Sequence, residues 1–196
     1  MQENIQKHRK FNAEIHPIIA NRWSPRSMTG EELTDEELMP LFEAARWAPS
    51  SYNNQPWRFV YAKRNTPEWN NLFQLMIEFN QSWTKNAAVL LCIISKKTFD
   101  KNNKPSPTHS FDTGAAWMSL ALEGTRRGYV VHGMQGFDYD KAKKALDIPD
   151  DYQVEAMAAI GKRAPKENLP EEMQKNEFPS ERRPIQEIMM KGKFKR

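Results

Sequence analysis

Apolar positions along this chain switch repeatedly between a helical and an extended period. In residues 34–47, TDEELMPLFEAARW, Leu38, Leu41, Phe42 and Ala45 fall at i, i+3, i+4 and i+7 and form one apolar helix face. Thr34 followed by Glu37 is a capping-box pair, and Asp35 and Glu36 suit a helix N-terminus. Pro40 lies past the first turn, where it should kink or loosen the helix, and Pro49 closes it. Residues 57–62, WRFVYA, set Trp57, Phe59 and Tyr61 against Arg58, Val60 and Ala62, which predicts a strand. Residues 66–83 read as one helix burying Leu72, Phe73, Leu75, Met76 and Phe79. AAVLLCIIS, residues 87–95, is an unbroken apolar run of strand length and predicts a central strand covered on both faces.

The second half continues the alternation. Residues 96–110 form a polar loop with two prolines. FDTGAAWMSLALEGTRR, residues 111–127, is a helix rich in small residues, ended by Gly128, and suits close approach by another helix or subunit. YVVHGM is a short strand, DYDKAKKALDIPDD a short amphipathic helix closed by Pro149, and YQVEAMAAIGK, residues 152–162, the last strand. Residues 5–20 read as a short helix or arm. The tail, 163–196, has too few large apolar residues for a core of its own and is expected to wrap something. Strands separated by helices predict an α+β or three-layer α/β fold.

Composition narrows this. A chain of 196 residues fits one domain with an N-terminal arm (about 1–20) and the wrapping tail. At 39%, hydrophobic content is somewhat low for one globular domain, which leaves room for a chain with arms and long loops that buries surface against a partner subunit. Charged residues make up 28%, with both signs interspersed, which argues against disorder. The net charge of +4 is dispersed except in the closing KGKFKR, unlike the stripe of a nucleic-acid binder. It fits either a solvated surface or a field that attracts anionic ligands. Cys92, the one cysteine, sits inside AVLLCII and reads as a core thiol in a reducing compartment. The first residues lack a secretory apolar region, and no apolar run approaches the ~20 residues of a membrane span. A soluble, cytoplasmic protein is expected, with no membrane and no nucleic acid among its partners.

Four stretches carry candidate chemistry. In NRWSPRS, Arg22 and Arg26 flank Ser24 and Pro25; two guanidiniums and a hydroxyl suit a phosphate, or belong to a solvated turn. APSSYNNQPW, residues 48–57, concentrates uncharged donors and acceptors in Ser50, Ser51, Asn53 and Gln55. Such groups read a flat heterocycle with a mixed edge, or a polyol; they equally suit a loop whose amides cap its neighbours. None of them titrates near neutrality, so acid–base work is not theirs. In HGMQGFD, Gly133 and Gly136 allow close backbone approach to a ligand, or form a simple turn; His132 reads as structural. SERRPIQEI brings Arg182 and Arg183, either as a basic surface or as a further arginine for the same phosphate. No second His or Cys stands at metal-ligand spacing, and no G-x-G-x-x-G or P-loop occurs.

Taken in order, these pieces resemble the nitroreductase family of FMN-dependent oxidoreductases. RWSPRS is similar to its N-terminal Arg-x-Ser-x-Arg element, and EAARWAPSSYNNQPWRF to its helix running into Pro-Ser-Ser-x-Asn-x-Gln-Pro-Trp. FDTGAAWMSLALEGTRRGY resembles its interface helix, residues 132–162 its flavin-facing turn, helix and last core strand, and ERRPIQEIMMKGKF its C-terminal element. The resemblance implies a three-layer α+β sandwich with a mostly antiparallel sheet, built as an intertwined homodimer with FMN at the subunit interface. It implies that Arg22, Ser24 and Arg26 grip the phosphate and ribityl end, joined by Arg182. Pro49, Ser50, Ser51, Asn53 and Gln55 would come from the partner subunit, and Met134, Gln135 and Gly136 would face the ring. Gly161 and Lys162 match a turn near the phosphate. The implied reaction is ping-pong hydride transfer from NADPH or NADH through the flavin to small electron-poor acceptors such as nitroaromatics or quinones. No side chain is nominated as catalytic acid or base, since the cofactor carries the redox chemistry. The alternatives are an FMN enzyme reducing one unsaturated or halogenated metabolite, and a non-enzymatic basic protein that binds nucleic acid.

Overall fold

The capping box forms as the sequence predicts. In a computed structural model describing residues 5–194, Thr34 Oγ1 accepts from the Glu37 N–H at 3.2 Å, and the Glu37 carboxylate accepts from the Thr34 N–H at 2.8 Å. The helix that follows, α2 (Asp35–Arg46), buries Leu38, Leu41 and Ala45. A shorter helix, α1 (Pro17–Asn21), precedes it. Pro40 stays inside α2 without ending it, because the carbonyl it leaves unpaired, four residues back, belongs to exposed Glu36.

Among the described residues, four strands form one antiparallel sheet: β1 (Trp57–Lys63), β2 (Val89–Lys96), β3 (Tyr129–Met134) and β4 (Tyr152–Lys162), in the order β1-β2-β4-β3. The continuous apolar run becomes β2, second in the order and flanked on both sides, and every residue from Val89 to Ser95 is buried. Its side chains alternate between two cores. Val89, Leu91 and Ile93 meet α2 and the long helix α5 (His109–Arg126), through Leu38, Leu41, Ala116 and Leu120. Leu90, Cys92 and Ile94 meet the opposite layer, α3 (Trp69–Phe73), α4 (Glu78–Thr84) and α6 (Tyr139–Ala145), through Leu72, Leu75, Trp83 and Ala142. The three-layer α+β sandwich expected from the sequence is therefore present, and the pairing observed is antiparallel throughout. Burial pushes the Cys92 thiol up to about 12, so it behaves as a small core hydrophobe.

Two local expectations need correction. Residues 66–83 are two short helices, not one. The chain extends at Ile77 (ψ 154°), Met76 bridges to Phe137, and the Ile77 N–H donates to the Gly136 carbonyl at 3.1 Å. A tertiary strand contact has taken backbone groups that a continuous helix would use, and Phe79 ends up exposed. Helix α5 begins at His109 rather than 111; at its other end Gly128 adopts φ +80°, the left-handed cap expected there. The tail forms no core of its own among the described residues; its Leu169 and Met173 pack into the α3–α4–α6 side, with Met173 on the short helix α7 (Glu171–Gln174). Beyond it α8 (Ile185–Ile188) and its flanks leave Ile188, Met189 and Phe194 exposed. The arm expected at 1–20 is described from Ile5 onward; residues 1–4 lie outside the described residues. No helix among the described residues is long and apolar enough to cross a membrane.

Candidate functional site

Residues 22–29 run past β3, one edge strand of the sheet, to the end of β4. His132 Nδ1 donates to the Pro25 carbonyl at 2.8 Å, and the Thr29 N–H donates to the Lys162 carbonyl at 3.0 Å. Buried Glu177, from the tail, clamps the segment: its Oε1 accepts from the N–H groups of Arg26 (2.7 Å) and Ser27 (3.0 Å). Burial pushes His132 down to about 4, with the charges of Arg26 and Arg22 acting in the same direction. Its imidazole is neutral at neutral pH and packs against Trp83, ring centroids 4.6 Å apart. The structural reading of His132 is thus the one the geometry supports.

This arrangement opens a concavity of about 450 Å³. Arg22 and Ser24 line it together with Gly133, Met134 and Gln135 from the end of β3. Helix α5 supplies Trp117 and Met118, and Tyr139, Glu155 and Ala156 complete the wall. Strand register spreads these groups out. His132, which bonds the Pro25 carbonyl next to Ser24, pairs with Ala159. Glu155 lies four residues further along β4, roughly 13 Å away at about 3.3 Å per residue. A second concavity, of about 430 Å³, is lined by Arg64, Trp69, Phe73 and Lys85. It lies toward the opposite ends of the strands, and none of the expected site residues borders it.

A group of guanidiniums gathers at the Arg22 end. Arg22 is held below the usual arginine range first by burial and then by Arg182. Arg9 is lowered in the same sense by burial, then by Arg182 and Arg22. Arg9 ties three segments together: Nη1 donates to the carbonyls of Ala20 (2.7 Å) and Arg22 (2.9 Å), and Nε to that of Ser180 (3.1 Å). Its Nη2 is buried without a hydrogen-bond partner among the described residues. Like charges gathered with an unsatisfied donor among them favour an anion beside them, and guanidinium forks match phosphate oxygens. Sequence reading missed Arg9, because its role exists only once arm, loop and tail meet. It also missed Glu155, whose placement depends on strand register.

The other expected residues separate into groups. Arg182 joins Arg22 through its charge and donates to Ser180 Oγ at 2.9 Å, whereas Arg183 faces Glu187 at 3.9 Å on the exposed side. Arg26 turns its guanidinium toward Glu177, 3.9 Å away, and does not line the concavity. Gly136 sits where a Cβ would lie 2.6 Å from Asn80 Nδ2, so a larger residue there would have to displace the Asn80 side chain. Gly161 is similarly crowded by Met28 Sδ at 2.9 Å. Lys162 lies near the other end of β4 and pairs with Glu31 at 3.1 Å.

Pro49, Ser50, Ser51, Asn53 and Gln55 lie on a separate loop that does not border the concavity. The loop is tightly held. Tyr52, Asn53 and Gln55 all have φ near +50°, Ser50 Oγ accepts from the Gln55 N–H at 2.9 Å, and the Ser51 N–H donates to Asp112 at 3.0 Å. Strain of this kind persists where surrounding contacts over-determine it, and it collects at functional sites. At its tip Tyr52 is 92% exposed.

The model of the Nitroreductase family matches residues 19–162. The chain belongs to the nitroreductase family. Its fold superposes with a TM-score of 0.91 on a crystal structure described as an oxidoreductase containing FMN, at 43% identity, covering 95% of this chain and 96% of that one. Protein DrgA of Synechocystis sp. is 28% identical over 159 residues, 67% of this chain and 75% of that protein. The major NAD(P)H-flavin oxidoreductase of Aliivibrio fischeri is 28% identical over 94 residues, 45% of this chain and 43% of that protein. The matched stretch contains Arg22, the Ser50–Gln55 loop and the β3–β4 wall of the concavity, but neither Arg9 nor the tail arginines.

Proposed function

We propose that this nitroreductase-family chain is an FMN-dependent oxidoreductase that takes hydride from NADH or NADPH and passes it to small electron-poor acceptors, nitroaromatics or quinones, in a ping-pong cycle. One observation carries the reading: desolvated Arg22, with Arg182 and the half-satisfied Arg9, stands at one end of a concavity walled by β3 backbone and aromatic side chains. That donor set fits a phosphate joined to a flat ring. Bound FMN would supply the hydride chemistry. The chain's own residues do the rest. Arg22 and Arg182 hold the phosphate, Ser24 offers a hydroxyl to the ribityl chain, and Arg9 fixes the backbone of Arg22. Gly133, Met134 and Gln135 line the ring, with Trp117 limiting access of water.

The Ser50–Gln55 loop fits as the contribution of a second subunit, because it is rigid, uncharged and exposed, yet absent from its own protomer's concavity. Helix α5 presents the surface such a dimer needs: Phe111 (81% exposed), Gly114 and Met118 share one side, and nothing lies within 4 Å of a Cβ built at Gly114. Residues 1–196 then act as a single FMN-binding domain whose arm and tail meet at Arg9. Equilibrium dialysis against FMN tests the reading. Retention of one FMN per chain is expected; no retention would contradict it.

A further inference from the structure

Strand β4 departs from regular pairing at one residue. Ile93 opposes Ala156 and Ile94 opposes Val154, so Glu155 is the extra residue of a bulge. A bulge re-aims a side chain that the pleat would otherwise direct elsewhere. Here it places the Glu155 carboxylate under the start of α5, at the end of the concavity away from Arg22. The side chain is 19% exposed and lines that concavity. Its Oε1 accepts from Ser95 Oγ and from Ser110 Oγ, the latter at 2.7 Å, and its Oε2 accepts from Gln153 Nε2 at 3.2 Å. Fully buried Ser95 also meets His109 Nδ1 at 2.7 Å, and Tyr139 donates to the Glu155 carbonyl at 3.4 Å. A hydroxyl has one proton. With that proton given to Glu155, Ser95 must accept from His109 Nδ1–H. The result is a directed chain, His109 to Ser95 to Glu155, from the helix start into the cavity.

We propose that Glu155 delivers the proton an acceptor takes up along with hydride, and that Ser95 and His109 replace it from solvent; this rests on the oxidoreductase reading above. For a quinone the balance closes. Hydride brings two electrons and one hydrogen, and the second hydrogen comes from the Glu155 carboxyl as its O–H bond breaks and the acceptor's O–H forms. The carboxylate then takes the Ser95 hydroxyl proton, the hydroxyl takes that of His109 Nδ1, and Nε2 of the imidazole gains one from water.

A purely structural role, anchoring α5, is separated by comparing two acceptors. FMN-loaded wild type, Glu155→Gln and Ser95→Ala are reduced anaerobically and mixed in stopped flow with benzoquinone or with ferricyanide, which takes electrons without a proton. Glu155→Gln is expected to slow benzoquinone at least ~100-fold, the scale of general-acid catalysis, while ferricyanide reoxidises wild type and variant at similar rates. FMN affinity, read from flavin fluorescence, is expected to match wild type. In the protein without flavin, a slowly exchanging His109 Nδ1 proton seen by NMR should disappear in Ser95→Ala. Equal slowing with both acceptors, an unchanged benzoquinone rate, or a His109 proton indifferent to Ser95→Ala would overturn the proposal. Failure of wild type to bind FMN would overturn the underlying reading and the proposal with it.

Discussion

Arg22 and His132 occupy one neighbourhood and do opposite work with burial. Arg22 keeps its charge despite desolvation and the nearby Arg182, so it gains most when an anion arrives. Arg22→Ala should weaken FMN binding by about 1.5–3 kcal/mol, roughly 10- to 150-fold, in a fluorescence titration; an unchanged affinity would take Arg22 out of the site. His132 gives up its charge. Its folded value of about 4 lies below the ordinary histidine value, so as pH falls the unfolded chain takes up this proton first. The stability it contributes is present above ~pH 6.5 and is lost as pH falls toward its folded value. About 2 kcal/mol should disappear between ~pH 6.5 and ~pH 5. That window is separate from the acidic one in which Glu43 and Glu123, held down to about 2 by their arginine partners, lose their contribution. Urea unfolding of His132→Asn, whose amide can still donate to Pro25, should lack this slope. A slope equal to wild type would assign it to another group.

At the scale of elements, the parts legible in the sequence are those governed by local periodicity and caps. Helix α2 shows the point, since Thr34 and Glu37 signal its start with no tertiary help. Thr34→Ala should cost about 1 kcal/mol in urea unfolding, and no change would mean the box is cosmetic. The unbroken apolar run of β2 and the Gly128 cap were legible for the same reason. The split of residues 66–83 was not, because the break at Ile77 is made by the distant Gly136–Phe137 backbone. Glu155 shows the same limit at the site. Its neighbours in sequence read as ordinary strand, and only the register between β2 and β4 reveals it as a bulge beside the cavity. Arg22, Ser24, Met134 and Gln135 were legible as separate motifs, and the fold brings them to one concavity. The resemblance places the glycines at 136 and 161 near a ligand, and in the fold a Cβ added at either would meet Asn80 or Met28.

For the molecule as a whole, the modest apolar content finds a physical counterpart in the large apolar side chains the chain leaves uncovered. Trp47, Tyr52, Phe111, Ile188 and Phe194 are each at least 71% exposed, more large apolar surface than a lone subunit normally presents to water. A dimer that buries the α5 face would cover Phe111 and bring the uncharged loop to a partner's cavity. Phe111→Glu is therefore expected to give a monomer by light scattering and to weaken FMN binding at the same time. A monomeric variant with unaltered FMN affinity would separate the interface from the site. Whether the guanidinium-capped concavity holds a working flavin is read from the visible spectrum of the purified protein before and after anaerobic NADPH. The expected result is a yellow protein that bleaches with NADPH and regains its colour on adding a quinone. A colourless protein that also refuses added FMN would contradict it.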